Sequence, residues 1–222
     1  MKIKAALFDC DGTLVDSLGF WEIFYKRVGE IYFDGKDFTP TPADDKAMRT
    51  QTVKFLAHLM HQNYGIGKDA QEIEQFCLGV FRWYYSEVVE LKPGVRELLA
   101  HLKSQNVKMC IASAAEAEMI RIVLGRQGVL DYFEGIVSCS EVGAGKDKPD
   151  VFLAAEKFLG APHEMTWVFE DSLLAIQTAK SAGFHVAGIY DPHSFGQDQA
   201  RKLCDEYVEK GGSFTELIPK IN

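Results

Sequence analysis

The stretch IKAALFDCDGTLVDS, residues 3–17, decides how the rest of the chain is read. Its first six residues form a short, mostly apolar run that suits a strand covered on both faces. That run ends in acids: Asp9 and Asp11 flank Cys10, Gly12 and Thr13 follow, and Asp16 comes next. One acid at a strand end means little, because helix caps often supply one. Several together ask for a chemical reason.

Working outward, the same pattern recurs from residue 92 onward. Apolar runs at 107–113 (VKMCIAS), 135–140 (GIVSCS), 166–170 (TWVFE) and 185–190 (HVAGIY) alternate with amphipathic segments such as GVRELLAHLKSQN and DVFLAAEKFLG. Strands alternating with helices of this length predict βαβ units and a parallel sheet. Residues 17–91 break the rhythm. Apolar positions there fall at helical spacing in three segments, with breaks at DGKDFTPTPADD and NYGIGKD. The expectation is an α/β protein with a Rossmann-like parallel sheet and an inserted helical domain. Residues 1–16 and 92–222 form the core and 17–91 the insert. The aromatic residues of the insert read most plainly as its own core.

Ligands in open parallel sheets bind beyond the carboxyl ends of the strands. Asp9, Asp11 and Thr13 follow the first run, and Ser113 ends the second. Lys146 and Lys148 follow the third, and Glu170-Asp171 close the fourth. These groups come from four separate places in the sequence and meet at one sheet edge. Two like charges about 4 Å apart cost about 4 kcal/mol at an effective dielectric of 20. Several such pairs would threaten a domain whose whole stability is roughly 5–15 kcal/mol. Either the acids are protonated or a cation joins them. An all-oxygen set with room for water and phosphate suits Mg²⁺.

The bulk composition narrows the function. The chain has 222 residues, 47% hydrophobic, with a net charge of −8. That balance argues against a nucleic-acid binder, which needs a basic face. No run approaches the ~20 apolar residues of a membrane helix, and the apolar run before Asp9 is too short for a signal-peptide core. The five cysteines, 10, 77, 110, 139 and 204, show no C-x-x-C pair and read as reduced thiols. The expectation is a monomer of the cytoplasm, with no membrane or nucleic-acid partner.

The quoted motifs together, DCDGTLVD, Ser113 after VKMCIA, GKDKPDVF and VFEDSLLAIQTAKSAGF, resemble the haloacid dehalogenase superfamily on its phosphatase and phosphomutase side. The insert resembles that superfamily's helical cap. The resemblance implies a Mg²⁺-dependent phosphatase acting on a small phosphorylated metabolite. Asp9 matches the nucleophile that becomes aspartyl-phosphate, and Asp11 the general acid and base. Ser113 matches the hydroxyl that holds a phosphate oxygen, and Lys146 the charge-offsetting lysine. Asp171 matches a Mg²⁺ ligand beside the Asp9 carboxylate and the Asp11 carbonyl, with Glu170 behind them. Gly12 allows the tight turn that turns backbone N–H groups to the phosphate.

Other positions have plainer readings. Asp16 suits a hinge or helix cap, Thr13 a supporting contact, Ser172 a cap of the following helix, and Cys10 a buried thiol. GAGKD is not a phosphate-binding P-loop, because Ser140 and Asp147 stand where glycine and Ser/Thr belong. Two departures from the family pattern stand out. Asp147 follows Lys146 where the family has proline, so Lys148 is the rival lysine; Lys146 is preferred because Pro149-Asp150 then starts a helix. Trp21 stands where sugar-phosphate mutases of the family carry a histidine, which disfavours a mutase. Arg49 is a candidate for a second substrate charge, a solvated arginine being its plainer reading. The rival readings are a sugar phosphomutase and a phosphorylatable signalling module.

Overall fold

The computed structural model describes residues 3–50 and 52–221, apart from the side chains of 49 and 50. The Arg49 side chain therefore lies outside the described residues. Among the described residues, six strands form one parallel sheet: β1 (Ala5–Phe8), β2 (Lys108–Ser113), β3 (Gly135–Ser138), β4 (Thr166–Glu170), β5 (His185–Ile189) and β6 (Glu206–Val208). Their order is β3-β2-β1-β4-β5-β6. In register, Phe8 of β1 lies opposite Ile111 of β2 and Phe169 of β4. This is the doubly wound, Rossmann-like α/β arrangement. Its order reverses between β1 and β4, the place in such sheets where ligands bind beyond the carboxyl ends of the strands.

The strands are legible because both their faces are covered. Side chains alternate across the sheet. Ala5 and Leu7 face a core with Cys110, Ala112, Val168 and Val186, built against α8 (Asp150–Leu159) and α9 (Leu173–Ser181), while α5 (Val95–Ser104) precedes β2 and α6 (Ala117–Arg126) precedes β3 in the chain. Phe8 stacks on Phe169 at 4.3 Å and meets Phe133 edge-on at 5.8 Å. β6 was not among the expected strands. At three residues, half-buried except for Val208, it has too little pattern to be read.

Gly19–Val88 form a second compact unit, all helical: α1 (Phe20–Tyr32), α2 (Pro42–Thr50), α3 (Val53–Tyr64), and α4 (Ala70–Trp83) running into a wider π-type turn at Tyr84–Val88. Phe20, Phe24 and Val28 of α1 are buried, as are Leu56 and Met60 of α3 and Ile73 and Cys77 of α4. Phe20 stacks on Phe81 at 4.3 Å, so aromatics supply much of this unit's interior. Thr52 and Asp69 cap α3 and α4 by accepting from the N–H groups of Phe55 and Glu72.

α2 corrects one expected break, since DGKDFTPTPADD contains a helix start. Pro42 opens the helix with its φ preset, Asp44 and Asp45 sit in the first turn, and Thr41 Oγ1 accepts from the Asp44 N–H at 3.2 Å. Among the described residues, no helix is long and apolar enough to cross a membrane.

Candidate active site

The strand-order reversal between β1 and β4 sets the site. Asp9 follows β1 directly, and its N–H continues the ladder to Phe169 O at 3.0 Å. Glu170 ends β4 and Asp171 is the next residue. Their side chains meet: one carboxylate oxygen from each of Asp9, Glu170 and Asp171 lies within 4.8 Å of the others, and all three residues are buried.

The chain after Asp9 turns back sharply. Leu14 and Val15 both donate to Cys10 O, and Gly12 N–H donates to Val15 O at 3.0 Å. Gly12 has φ +77, and a Cβ there would stand 2.6 Å from Asp171 Oδ2. Only glycine fits both the left-handed turn and the packing of that turn against Asp171. Thr13 Oγ1 donates to Asp171 Oδ1 at 2.8 Å. Ser17 Oγ donates to Asp11 Oδ1 at 2.6 Å and so orients the second acid of the motif.

Lys146 comes from the loop between α7 (Cys139–Val142) and α8. Its Nζ lies 2.6 Å from Asp9 Oδ1 and 3.0 Å from Glu170 Oε2. Among the described residues, Lys146 is the group that meets the buried Asp9 Oδ1. Lys148, the rival lysine, is exposed. α8 starts at Asp150, with Pro149 just before it in helical conformation.

Ser113 ends β2 at the same sheet edge, fully buried, and its Oγ accepts from the Ala115 N–H at 3.3 Å. Asp16 is exposed, and its N–H bonds Glu90 O at 2.9 Å. Ser172 precedes α9 but makes no side-chain cap. Its N–H donates to Glu170 Oε1 at 3.3 Å.

The electrostatics follow from one cation among three buried acids. Burial and then the Asp9 charge push the Glu170 carboxyl well above the usual carboxylate range. The same two causes raise Asp171 to about 7, against hydrogen bonds from Ser194 and Thr13 that pull it down. Burial pulls the Lys146 ammonium down, yet Asp9 and Glu170 outweigh it and hold the lysine above its usual range. Burial, Asp11 and Asp9 together keep the Cys10 thiol protonated, so it is no nucleophile here. One lysine cannot neutralise three carboxylates. Three crowded carboxylate oxygens are a donor set that fits a hard divalent cation.

Sequence reasoning passed over one further group. Ser194 Oγ donates to Asp171 Oδ2, and Gln197 Nε2 reaches Asp171 O at 3.3 Å. Both lie just beyond β5. The signal that marks the other strand ends, polar side chains directly after an apolar run, is present here too in Asp191, His193 and Ser194.

The haloacid dehalogenase-like hydrolase profile matches residues 3–183. A phosphorylated carbohydrates phosphatase of Thermotoga maritima is 31% identical over 188 residues, covering 82% of each chain. The beta-phosphoglucomutase of Bacillus subtilis is 26% identical, over 97% of this chain and 94% of that one. A crystal structure of a Thermotoga maritima protein provisionally named a beta-phosphoglucomutase superposes with a TM-score of 0.79 at 26% identity, covering 98% of this chain and 96% of that one. The strand order, the acids at the reversal of that order and these similarities agree: the chain belongs to the haloacid dehalogenase-like hydrolase family.

Proposed function

We propose that the protein is a Mg²⁺-dependent phosphatase that hydrolyses a small phosphomonoester through an aspartyl-phosphate on Asp9. The observation that carries this reading is the Asp9 carboxylate itself. It is buried at the strand-order reversal, ion-paired to Lys146 at 2.6 Å, and crowded by the Glu170 and Asp171 carboxylates. A carboxylate so placed is desolvated and aimed, as a nucleophile must be.

Asp9 attacks phosphorus as the bond to the leaving alcohol oxygen breaks, and Asp11 gives its proton to that oxygen. Water then attacks phosphorus, Asp11 takes the water's proton, and the bond to Asp9 breaks to release inorganic phosphate. Both acids return to their starting states. Lys146 offsets charge on Asp9 and on the transferring group, and Ser113 donates to a phosphate oxygen. The Asp9 and Asp171 carboxylates and the Asp11 carbonyl, with Glu170 behind them, would hold the cation. Bound there, Mg²⁺ supplies positive charge that separates the acids and screens the phosphoryl group. Residues 1–16 and 92–222 serve as the catalytic core, and 17–91 as a helical cap domain. The phosphorylated-carbohydrate phosphatase among the relatives supports a sugar-like phosphomonoester as substrate.

The test is phosphate release from a panel of small phosphomonoesters, with Asp9→Asn as the control. Asp9→Asn should leave folding intact and remove turnover. Residual release above a small fraction of wild type would exclude Asp9 as nucleophile.

The beta-phosphoglucomutase relatives favour a second reading, a sugar phosphomutase. Against it, Trp21 packs among Phe20, Phe24 and Phe81 with ring centroids 5.4 to 6.4 Å away, and offers no imidazole for proton transfer. A sugar phosphate converted to its isomer without phosphate release would decide for the mutase.

A further inference from the structure

The turn between β5 and α10 (Gln197–Leu203) is built more firmly than a connection needs. Asp191 is fully buried and ion-paired to Lys92, Nζ to Oδ2 at 2.7 Å. Lys92 Nζ also donates to Tyr190 O at 2.9 Å. The other oxygen, Asp191 Oδ1, accepts from His193 N–H at 2.9 Å, and Asp191 O accepts from Ser194 N–H at 3.2 Å. A buried ion pair costs desolvation on both partners and adds little net stability unless both are well bonded. Here both are, and the outcome is a turn of one shape.

What that turn presents is Ser194. Its Oγ donates to Asp171 Oδ2, while Gln197 Nε2 bonds both Asp171 O at 3.3 Å and Ser194 O at 3.1 Å. The Gln197 amide is oriented in turn by Tyr207 OH, which donates to its Oε1. On the other side, a Cβ at Gly12 would stand 2.6 Å from the same Oδ2, and Thr13 holds Oδ1. Asp171 is thus gripped between the motif turn of β1 and the turn after β5. Each carboxylate oxygen has two lone pairs, so one hydrogen bond on each leaves a second direction for a cation.

We propose that Ser194 is a positioning residue. Anchored by the Asp191–Lys92 pair and by Gln197, it fixes the Asp171 carboxylate in the orientation that binds a divalent cation. The inference rests on the metal reading of the acid cluster given above. It assigns a function to the DPHSFGQ segment, which no part of the reaction itself employs. Partners standing behind a ligand typically contribute 10–100-fold to metal affinity.

The experiment compares full-length wild type, Ser194→Ala and Ser194→Thr. Free Mn²⁺ is followed by its electron paramagnetic resonance signal. In parallel, phosphate release from p-nitrophenyl phosphate is titrated with Mg²⁺, and thermal melts are recorded in chelator. Ser194→Ala should weaken Mn²⁺ binding about tenfold and raise the Mg²⁺ concentration for half-maximal turnover in step. Its metal-free melt should fall by only a few degrees, the loss of one hydrogen bond. Ser194→Thr keeps the hydroxyl and should restore most of the affinity. Equal Mn²⁺ affinity in wild type and Ser194→Ala overturns the proposal while leaving the metal reading intact. So does a threonine variant that melts like wild type yet stays as weak as alanine. A wild-type protein that binds no Mn²⁺ overturns the metal reading, and the proposal with it.

Discussion

Replacing Asp171 with asparagine should stabilise the metal-free protein, increasingly so as pH rises from about 4.5 to 7. Asp9, Glu170 and Asp171 each place an oxygen within 4.8 Å of the others. At that distance two unit charges repel by about 3 kcal/mol at an effective dielectric of 20. The acid's own shift has similar size. The folded protein raises the Asp171 carboxyl from 3.8 to about 7, and about three units correspond to on the order of 4 kcal/mol.

The sign comes from linkage. A carboxyl raised on folding holds its proton more tightly in the native state than in the unfolded chain. Its contribution is complete near pH 4 and is lost as pH climbs toward 7. Asparagine keeps the shape, never ionises, and escapes that loss. Its amide gives up one acceptor, costing about 1 kcal/mol through the Ser194 contact. The expected net gain is about 2–3 kcal/mol at pH 8 and close to zero at pH 4.5. For a chain of this size that is roughly 5–10 °C in Tm. The assay is thermal and urea unfolding in excess chelator at the two pH values, repeated with Mg²⁺. With Mg²⁺ the order should reverse, because wild type gains binding energy that the variant forfeits. Two results would refute the reasoning. One is an asparagine variant no more stable than wild type at pH 8 in chelator. The other is the same difference at both pH values.

Asp11→Asn should still bind Mg²⁺ but lose turnover most steeply on substrates with poor leaving groups such as sugar alcohols. Losses that do not vary between those and aryl phosphates, measured by initial rates, would remove Asp11 as proton donor. Gly12→Ala should lower stability by about 2 kcal/mol or more, since it meets a positive φ and a Cβ 2.6 Å from Asp171 Oδ2. It should also weaken Mn²⁺ binding by displacing that carboxylate, and wild-type melting and affinity together would count against the close packing.

The sheet was readable because parallel strands buried on both faces are written as short apolar runs, and five of the six appear that way. Only β6, a three-residue edge strand, lacks such a signal. The clustered acids were readable for a related reason. A carboxylate ending an apolar strand is locally unfavourable, so Asp9, Glu170 and Asp171 stand out against their own neighbours. The helices of the insert were legible from their apolar spacing. The start of α2 was not, because Pro42 and two aspartates read equally well as a loop or as a helix's first turn.

Local pattern thus determined the fold class and the end of the sheet where chemistry can occur. It could not determine how the acids are held. Thr13 bonds Asp171 across 158 positions of sequence, and Lys92 pairs with Asp191 across 99. Such hydrogen bonds leave no periodicity behind them, since any serine, threonine or lysine serves once the chain delivers it. The strand order decided the rest. Placing β4 beside β1, and β5 beside β4, brought the motif turn, the Glu170-Asp171 pair and Ser194 together at one end of the sheet. Burial there turned ordinary carboxylates into a crowded, proton-retaining set. That consequence belongs to distance and dielectric, and neither exists until the chain is folded.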